Sequence, residues 1–218
     1  MIFARQARFE AREKLFHSSL DASANIQVAT ALNNKTTGTC SKTGLPTFFV
    51  DQSQQRGSTF GARFINAFKE VFEKGYENVI AIGNDCPDLN TEDLRFAQKS
   101  LEQNQQVLGP SCDGGVYLIG LKRSQFEAGI LDKIHWMTNR VFEQLKETIS
   151  GPVKVLKRKF DLDGPFTKRA LKIAGKGLFH LWQIILQLFD SYQTTFKQES
   201  ILGLLVFTPT LRGPPSRI

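Results

Sequence analysis

The sequence predicts an α/β protein, a three-layer α/β/α sandwich with a mostly parallel central sheet. Two observations carry that prediction. Val79-Ile80-Ala81-Ile82 is a β-branched apolar run flanked by Gly75 and Pro87, too apolar for an edge strand and suited to the middle of a sheet buried on both faces. Strand-like and helix-like patterns then alternate along the chain, the order that a sheet covered by helices requires. No internal repeat interrupts it.

Taken in order, Ile2-Phe3 opens as a short strand and residues 9–32 read as mostly helical. Phe48-Phe49-Val50 is a second short strand. Ser58-Thr59 then caps a helix whose Phe60, Phe64, Ile65, Phe68, Val71 and Phe72 form one apolar face before Gly75 ends it. After the central strand, Asn90 is an N-cap with Glu92 and Asp93 in the first turn of a helix over 91–103. Strands at 107–108 and 116–121, a helix over 138–149 and a strand at 153–156 follow. Leu178, Leu181, Ile185 and Leu188 recur at helical spacing, which predicts an amphipathic helix over 178–189 packed on the sheet or on the partner in a homodimer. Residues 199–218, ending in Gly213-Pro214-Pro215, read as a loose terminus. The expected division is a domain over 1–176, with a helix and tail over 177–218 packed on it or on a partner.

At 218 residues, with 41% hydrophobic and 22% charged residues, the chain has the composition of one ordinary globular domain. Its 18 phenylalanines fall mostly at helix and strand spacing, as core does, rather than as base-stacking platforms. The balance of 28 Lys plus Arg against 21 Asp plus Glu gives a net charge of +7, which favours anionic ligands. Much of the excess lies in 154–176, interleaved with core residues, and no nucleic-acid motif accompanies it, so nucleic acid is not the expected partner. Cys40, Cys86 and Cys112 make an odd count without paired spacing, which suits a reducing compartment. Cys86, Cys112 and His135 lack zinc spacing, so the two thiols read as small buried side chains near a crevice. The first residues are charged rather than apolar, and 178–189 is too short to span a bilayer, so a cytoplasmic protein without a membrane span is expected.

Where Pro87 stops the central strand's ladder, Asp85 is left on a turn at the sheet rim. Ligands of open α/β sheets bind outside the carboxyl ends of the strands. A carboxylate there suits Mg²⁺ or Mn²⁺, hard cations that take one or two protein carboxylates and bridge to phosphate oxygens. A second acid is needed, and Phe160-Asp161-Leu162-Asp163-Gly164-Pro165 offers two beyond the strand at 153–156. Taken singly, each aspartate is also ordinary turn chemistry, bonding its own backbone. The N-terminal stretch from Ala4 to Lys14 contains no glycine, so phosphate binding falls to Arg5, Arg8, Arg12 or Lys14 as point charges or forks rather than to a loop of amides. The alternative for these cations is a solvated helix face, with Glu10 and Lys14 an i,i+4 pair.

Several motifs come in a recognisable order: Gln54-Gln55-Arg56-Gly57-Ser58-Thr59-Phe60-Gly61-Ala62-Arg63-Phe64, Gly83-Asn84-Asp85-Cys86-Pro87-Asp88-Leu89, Val107-Leu108-Gly109-Pro110, Asp113-Gly114-Gly115, Trp136-Met137-Thr138 and Asp161-Leu162-Asp163. In that order and spacing, over about residues 54–171, the chain resembles the DUF2064 family of glycosyltransferase-like or selenodomain-associated transferases, similar to the wider nucleotide-diphospho-sugar transferase (GT-A) superfamily. The resemblance implies a GT-A-like fold in which Asp85 is the metal-binding aspartate, Asp163 its late partner and Asp161 the lesser candidate. It implies that Gln55, Gly57 and Arg63 lie near a nucleotide, that Asn84 belongs to the same substrate site, and that Gly114 and Gly115 let backbone approach the substrate. The usual Pro/Gly loop and Lys-Thr-Arg run of relatives are missing at the N-terminus.

The expected function is a metal-dependent transferase using an activated nucleotide donor, a nucleotide sugar, with an acceptor left open. Asp85 and Asp163 hold Mg²⁺ or Mn²⁺, Asp113 orients or deprotonates the acceptor hydroxyl, and Arg5, Lys14 and Trp136 complete the substrate site, although Trp136 suits the core equally well. A nucleotidyltransferase acting on a phosphorylated small acceptor is the alternative enzyme. A binding protein that kept the fold without catalysis is the alternative outside enzymes.

Overall fold

The computed structural model describes residues 1–16 and 21–162, with Gln183 the one position beyond them. The helix expected over 178–189, the tail after it and Asp163 therefore lie outside the described residues.

The elements are β1 (Ile2–Phe3), α1 (Ala7–Glu13), α2 (Ala22–Ser41), β2 (Phe49–Val50), α3 (Phe60–Phe72), β3 (Asn78–Ile82), α4 (Thr91–Glu102), β4 (Gln106–Pro110), β5 (Val116–Lys122), α5 (Arg123–Glu127), α6 (Val141–Thr148) and β6 (Val153–Val155). Among the described residues the strands form one sheet of order β2-β1-β3-β5-β4-β6. β5 is antiparallel to both neighbours while the remaining pairs are parallel, so β1, β2, β3, β4 and β6 all point their carboxyl ends to the same rim.

Period-two alternation in β3 splits the core into two layers. Val79 and Ala81 join Phe64, Phe68 and Phe72 of α3 and Leu145 of α6 on one face. Ile80 and Ile82 face the other way, with Leu94, Ala97 and Leu101 of α4 and Cys40 of α2. The α/β/α sandwich follows.

Local chemistry sets the boundaries. Thr59 caps α3 by accepting the Ala62 amide at 3.1 Å, and Asn90 and Asp93 form a reciprocal capping box on α4. The single helical stretch expected over 9–32 is two helices. α1 stops at Glu13, Asp21 caps a new helix by accepting the Ala24 amide at 2.7 Å, and that helix runs on to Ser41 through Gly38. Met137, at φ 62°, keeps the residues after it out of the helix expected from 138, and α6 starts at Val141. No helix among the described residues is long and apolar enough to cross a membrane.

Candidate functional site

β3 ends at Ile82 and the chain turns through Gly83 to Asp85. The Asp85 carboxylate folds back over Gly83, where a Cβ would lie 2.6 Å from Oδ1, so a glycine makes the room. Lys14, the first residue past α1, sets its Nζ 2.9 Å from Asp85 Oδ2 and 3.2 Å from Glu10 Oε1. The Glu10 side chain is only 7% exposed and that of Lys14 19%, so the alternative of a solvated helix face fails for this pair, which forms but is turned onto the rim, while it holds for the exposed Arg8 and Arg12. Asn25 of α2, itself buried, holds this exit from α1 in place. Its Nδ2 donates to the carbonyls of Ala11 and Lys14, each at 2.8 Å, and its Oδ1 accepts the Phe16 amide.

The second acidic stretch reaches the same rim. The Leu162 amide donates to the Asp85 carbonyl at 2.7 Å, which seats Asp161 and Leu162 beside the β3 turn. One step earlier, Lys159 donates its amide to the Pro110 carbonyl at 3.1 Å, and its Nζ donates to the Asp88 carbonyl at 2.9 Å while forming an ion pair with Asp93. Cys86 lies among these charges. Burial pushes its thiol pKa strongly up, and the Asp161, Asp85 and Asp88 carboxylates push it further against the opposing effect of Lys159, which disfavours the thiolate that a nucleophile needs. Cys112 differs from the expectation of a buried thiol and is exposed.

The donors at this rim fit a hard divalent cation in kind: carboxylate oxygens from two chain segments, with no imidazole or thiolate among them. Among the described residues no group of three His, Cys, Asp or Glu side chains could hold a metal ion. One or two carboxylates with water and phosphate oxygens is the arrangement that Mg²⁺ accepts.

The profile of a family described as an uncharacterized protein conserved in bacteria, DUF2064, matches residues 17–138 of this chain. The chain belongs to the DUF2064 family. The match takes in the β3 turn, the Asp113-Gly114-Gly115 loop and Trp136, and leaves α1, Lys14 and the Asp161 stretch outside it. Among solved structures, a "putative nucleotide-diphospho-sugar transferase" from Desulfovibrio desulfuricans G20 superposes with a TM-score of 0.62 at 20% sequence identity, over 75% of this chain and 81% of that one. At that identity the likeness shows a shared fold and nothing finer. No curated protein matches.

Within this DUF2064 chain the other expected site residues fall into two groups. Asn84 is buried and donates to Asn33 Oδ1 at 2.7 Å, and Asn33 in turn donates to the Arg5 carbonyl at 3.2 Å, so Arg5, Asn84 and Asp85 share the rim. The Arg5 guanidinium itself turns to Glu13 at 3.8 Å. Gln55 Nε2 donates to the carbonyls of Ala4 and Val50, each at 3.1 Å, tying together the ends of β1 and β2. Gly57, at φ 134°, leads the chain into α3, where Arg63 is half-buried. Asp113 Oδ1 accepts from Ser111 Oγ and, at 2.9 Å, from the Gly115 amide, and Ser111 bridges to Lys159, which brings the Asp113 loop alongside the second acidic stretch.

Trp136 belongs to the other group. Its ring packs 5.6 Å from Phe60 and 5.1 Å from Phe64, against Gly61 of α3, and its Nε1 donates to the Leu131 carbonyl at 3.3 Å. That is a half-buried core position. Gly114 is needed for a backbone contact: at φ 93°, a Cβ there would lie 1.9 Å from the Asn139 carbonyl oxygen. Gly114→Ala is therefore expected to cost about 2 kcal/mol through strain and collision. Thermal unfolding should show it as a Tm lower by about 4–8 °C.

Sequence reasoning missed the groups that hold the site together. Asn25, Asn33 and Lys159 are buried polar residues or half-buried partners of one, and Glu10 was read only as a solvated partner of Lys14, because a buried polar side chain looks like a surface one in sequence. For Asn25 the available signal was Asp21, whose cap fixes where α2 starts and so where Asn25 falls.

Proposed function

We propose that this protein is a transferase that binds an activated nucleotide donor, a nucleotide sugar, at the rim formed by the carboxyl ends of β1, β3, β4 and β6, with Asp85 as a ligand of Mg²⁺ or Mn²⁺ and Asp163 as its partner. The observation that carries the reading is the 2.7 Å hydrogen bond from the Leu162 amide to the Asp85 carbonyl. Asp163 follows Leu162 directly in the chain. The fold supports it, because open α/β sheets bind ligands at this end.

A bound divalent cation would neutralise the charge that develops on the diphosphate leaving group. The chain's own residues do the remaining work. Lys14 and Arg5 supply positive charge toward phosphate oxygens. Asp113, with one carboxylate oxygen fixed by Ser111 and the Gly115 amide, orients an acceptor hydroxyl and takes its proton.

Thermal shift against nucleotide sugars and nucleoside triphosphates with Mn²⁺ tests this. A ligand at a hundredfold excess over its Kd stabilises by about 2.7 kcal/mol, a rise of about 5–10 °C for a chain of this size. Asp85→Asn is expected to remove that rise, and an equal rise in the variant would refute Asp85 as a ligand. Pyrophosphate release on turnover would move the chemistry to nucleotidyl transfer. One observation favours a second reading, a binding protein without transfer chemistry. β1 leads into α1 with no glycine from Ala4 to Lys14, so the rim has no glycine-rich loop of amides there. Tight nucleotide binding without any product over a long incubation would select it.

A further inference from the structure

The Asp85 carboxylate that the proposed function gives to a divalent cation already carries a cation of its own. Lys14 Nζ lies 2.9 Å from its Oδ2. Both side chains are largely buried, at 19% and 25% exposed, so the pair is screened less than a surface one. The lysine is also held from behind. Glu10 Oε1 lies 3.2 Å from the same ammonium, and the side chain of Glu10 is 7% exposed. Asn25 fixes the Lys14 carbonyl. Among the described residues the ammonium thus reaches two carboxylates, and Asn25 anchors the backbone that carries it.

A divalent ion and an ammonium on one carboxylate weaken each other's hold, because like charges a few ångströms apart repel strongly where water is scarce. We propose that Lys14 is a built-in counter-ion of the cation site. It keeps Asp85 compensated while no cation is bound, competes directly with the divalent ion for that carboxylate, and is drawn off when a polyanionic donor arrives to receive the ammonium. This rests on the reading of Asp85 as a metal ligand and deepens it. The divalent ion binds weakly by itself and more tightly with a diphosphate, since each then removes a cost from the other.

The test is a calorimetric titration of Mn²⁺ alone, without nucleotide, into the full chain and its variants, each first checked for a cooperative melt. Lys14→Met is expected to bind Mn²⁺ on the order of tenfold more tightly than the parent, within the usual range of coupling between sites. Lys14→Arg keeps the charge and is expected to stay within about twofold of the parent. The double variant Lys14→Met/Glu10→Gln removes the ammonium without freeing a buried carboxylate, and it should keep most of the gain. It also stands in for Lys14→Met if the single variant fails to fold.

A purely structural lysine would not produce tighter binding on removal. If Lys14→Met and the double variant bind Mn²⁺ no better than the parent while Asp85→Asn loses it, Lys14 is no competitor and the cation site stands. If the gain in Lys14→Met vanishes in the double variant, it came from Glu10 and the competition is refuted. Binding that is unchanged in Asp85→Asn overturns the cation site itself, and the counter-ion with it.

Discussion

Lys159→Met is expected to destabilise the protein by about 3–5 kcal/mol, because it leaves a buried carboxylate without its counter-charge. The side chains of Lys159 and Asp93 are 8% and 13% exposed. The ammonium also donates to the Asp88 carbonyl at 2.9 Å and lies 5.5 Å from the centre of the Tyr117 ring. Asp93 is also held in place, since its Oδ2 accepts the Asn90 amide at 3.0 Å as half of the α4 capping box. Urea unfolding measures the loss. The double variant Lys159→Met/Asp93→Asn removes both charges and is expected to regain at least half of it, because a neutral pair avoids the uncompensated charge. A single-variant cost below about 1 kcal/mol would mean that the pair is solvated and holds nothing. The rim has a stake in the result: Lys159 joins the segment that leads to Asp161 both to the end of β4 and to the loop after Asp85.

That stake also marks where the sequence stopped being informative. The β3 turn was legible because three local signals agree there: a continuous β-branched run, a proline that ends the ladder and an N-cap with acids in the following turn. The phenylalanine face of α3 was legible for the same reason, a periodicity that one element declares by itself. The groups around Asp85 were not. Glu10 and Lys14 have the spacing of any solvated i,i+4 pair, and only the arrival of β3 from 71 residues away turns them inward. Lys159 sits in a run with Lys157 and Arg158, and strand alternation cannot say which of three cations goes inside when the strand itself ends at Val155. Trp136 was open between pocket wall and core, and its contacts with Phe60 and Phe64 across Gly61 put it on the core face. In each case the deciding contact is long-range, so no window of sequence contains it.

Phe68→Ala is the sharpest check on the layer beneath the rim, with an expected cost of about 3–5 kcal/mol. Phe68 is 0% exposed at the middle of α3, and its ring meets Phe64 edge-on at 5.1 Å and stacks with Phe72 at 6.0 Å and Phe126 at 6.1 Å. Truncation removes ring contacts to α3 and α5 together and opens a void under β3, which close-packed neighbours fill only in part. Phe96, 46% exposed on α4, is the control. Its replacement by alanine is expected to change stability by no more than about 0.5 kcal/mol. Chemical denaturation of both variants separates core from platform. If the phenylalanines served to stack bases, the exposed ring would matter for ligand and the buried one little for folding. A Phe68→Ala protein as stable as Phe96→Ala would show that α3 does not pack as described, and with it would go the rigid support that holds the carboxyl ends of β1 and β3 side by side.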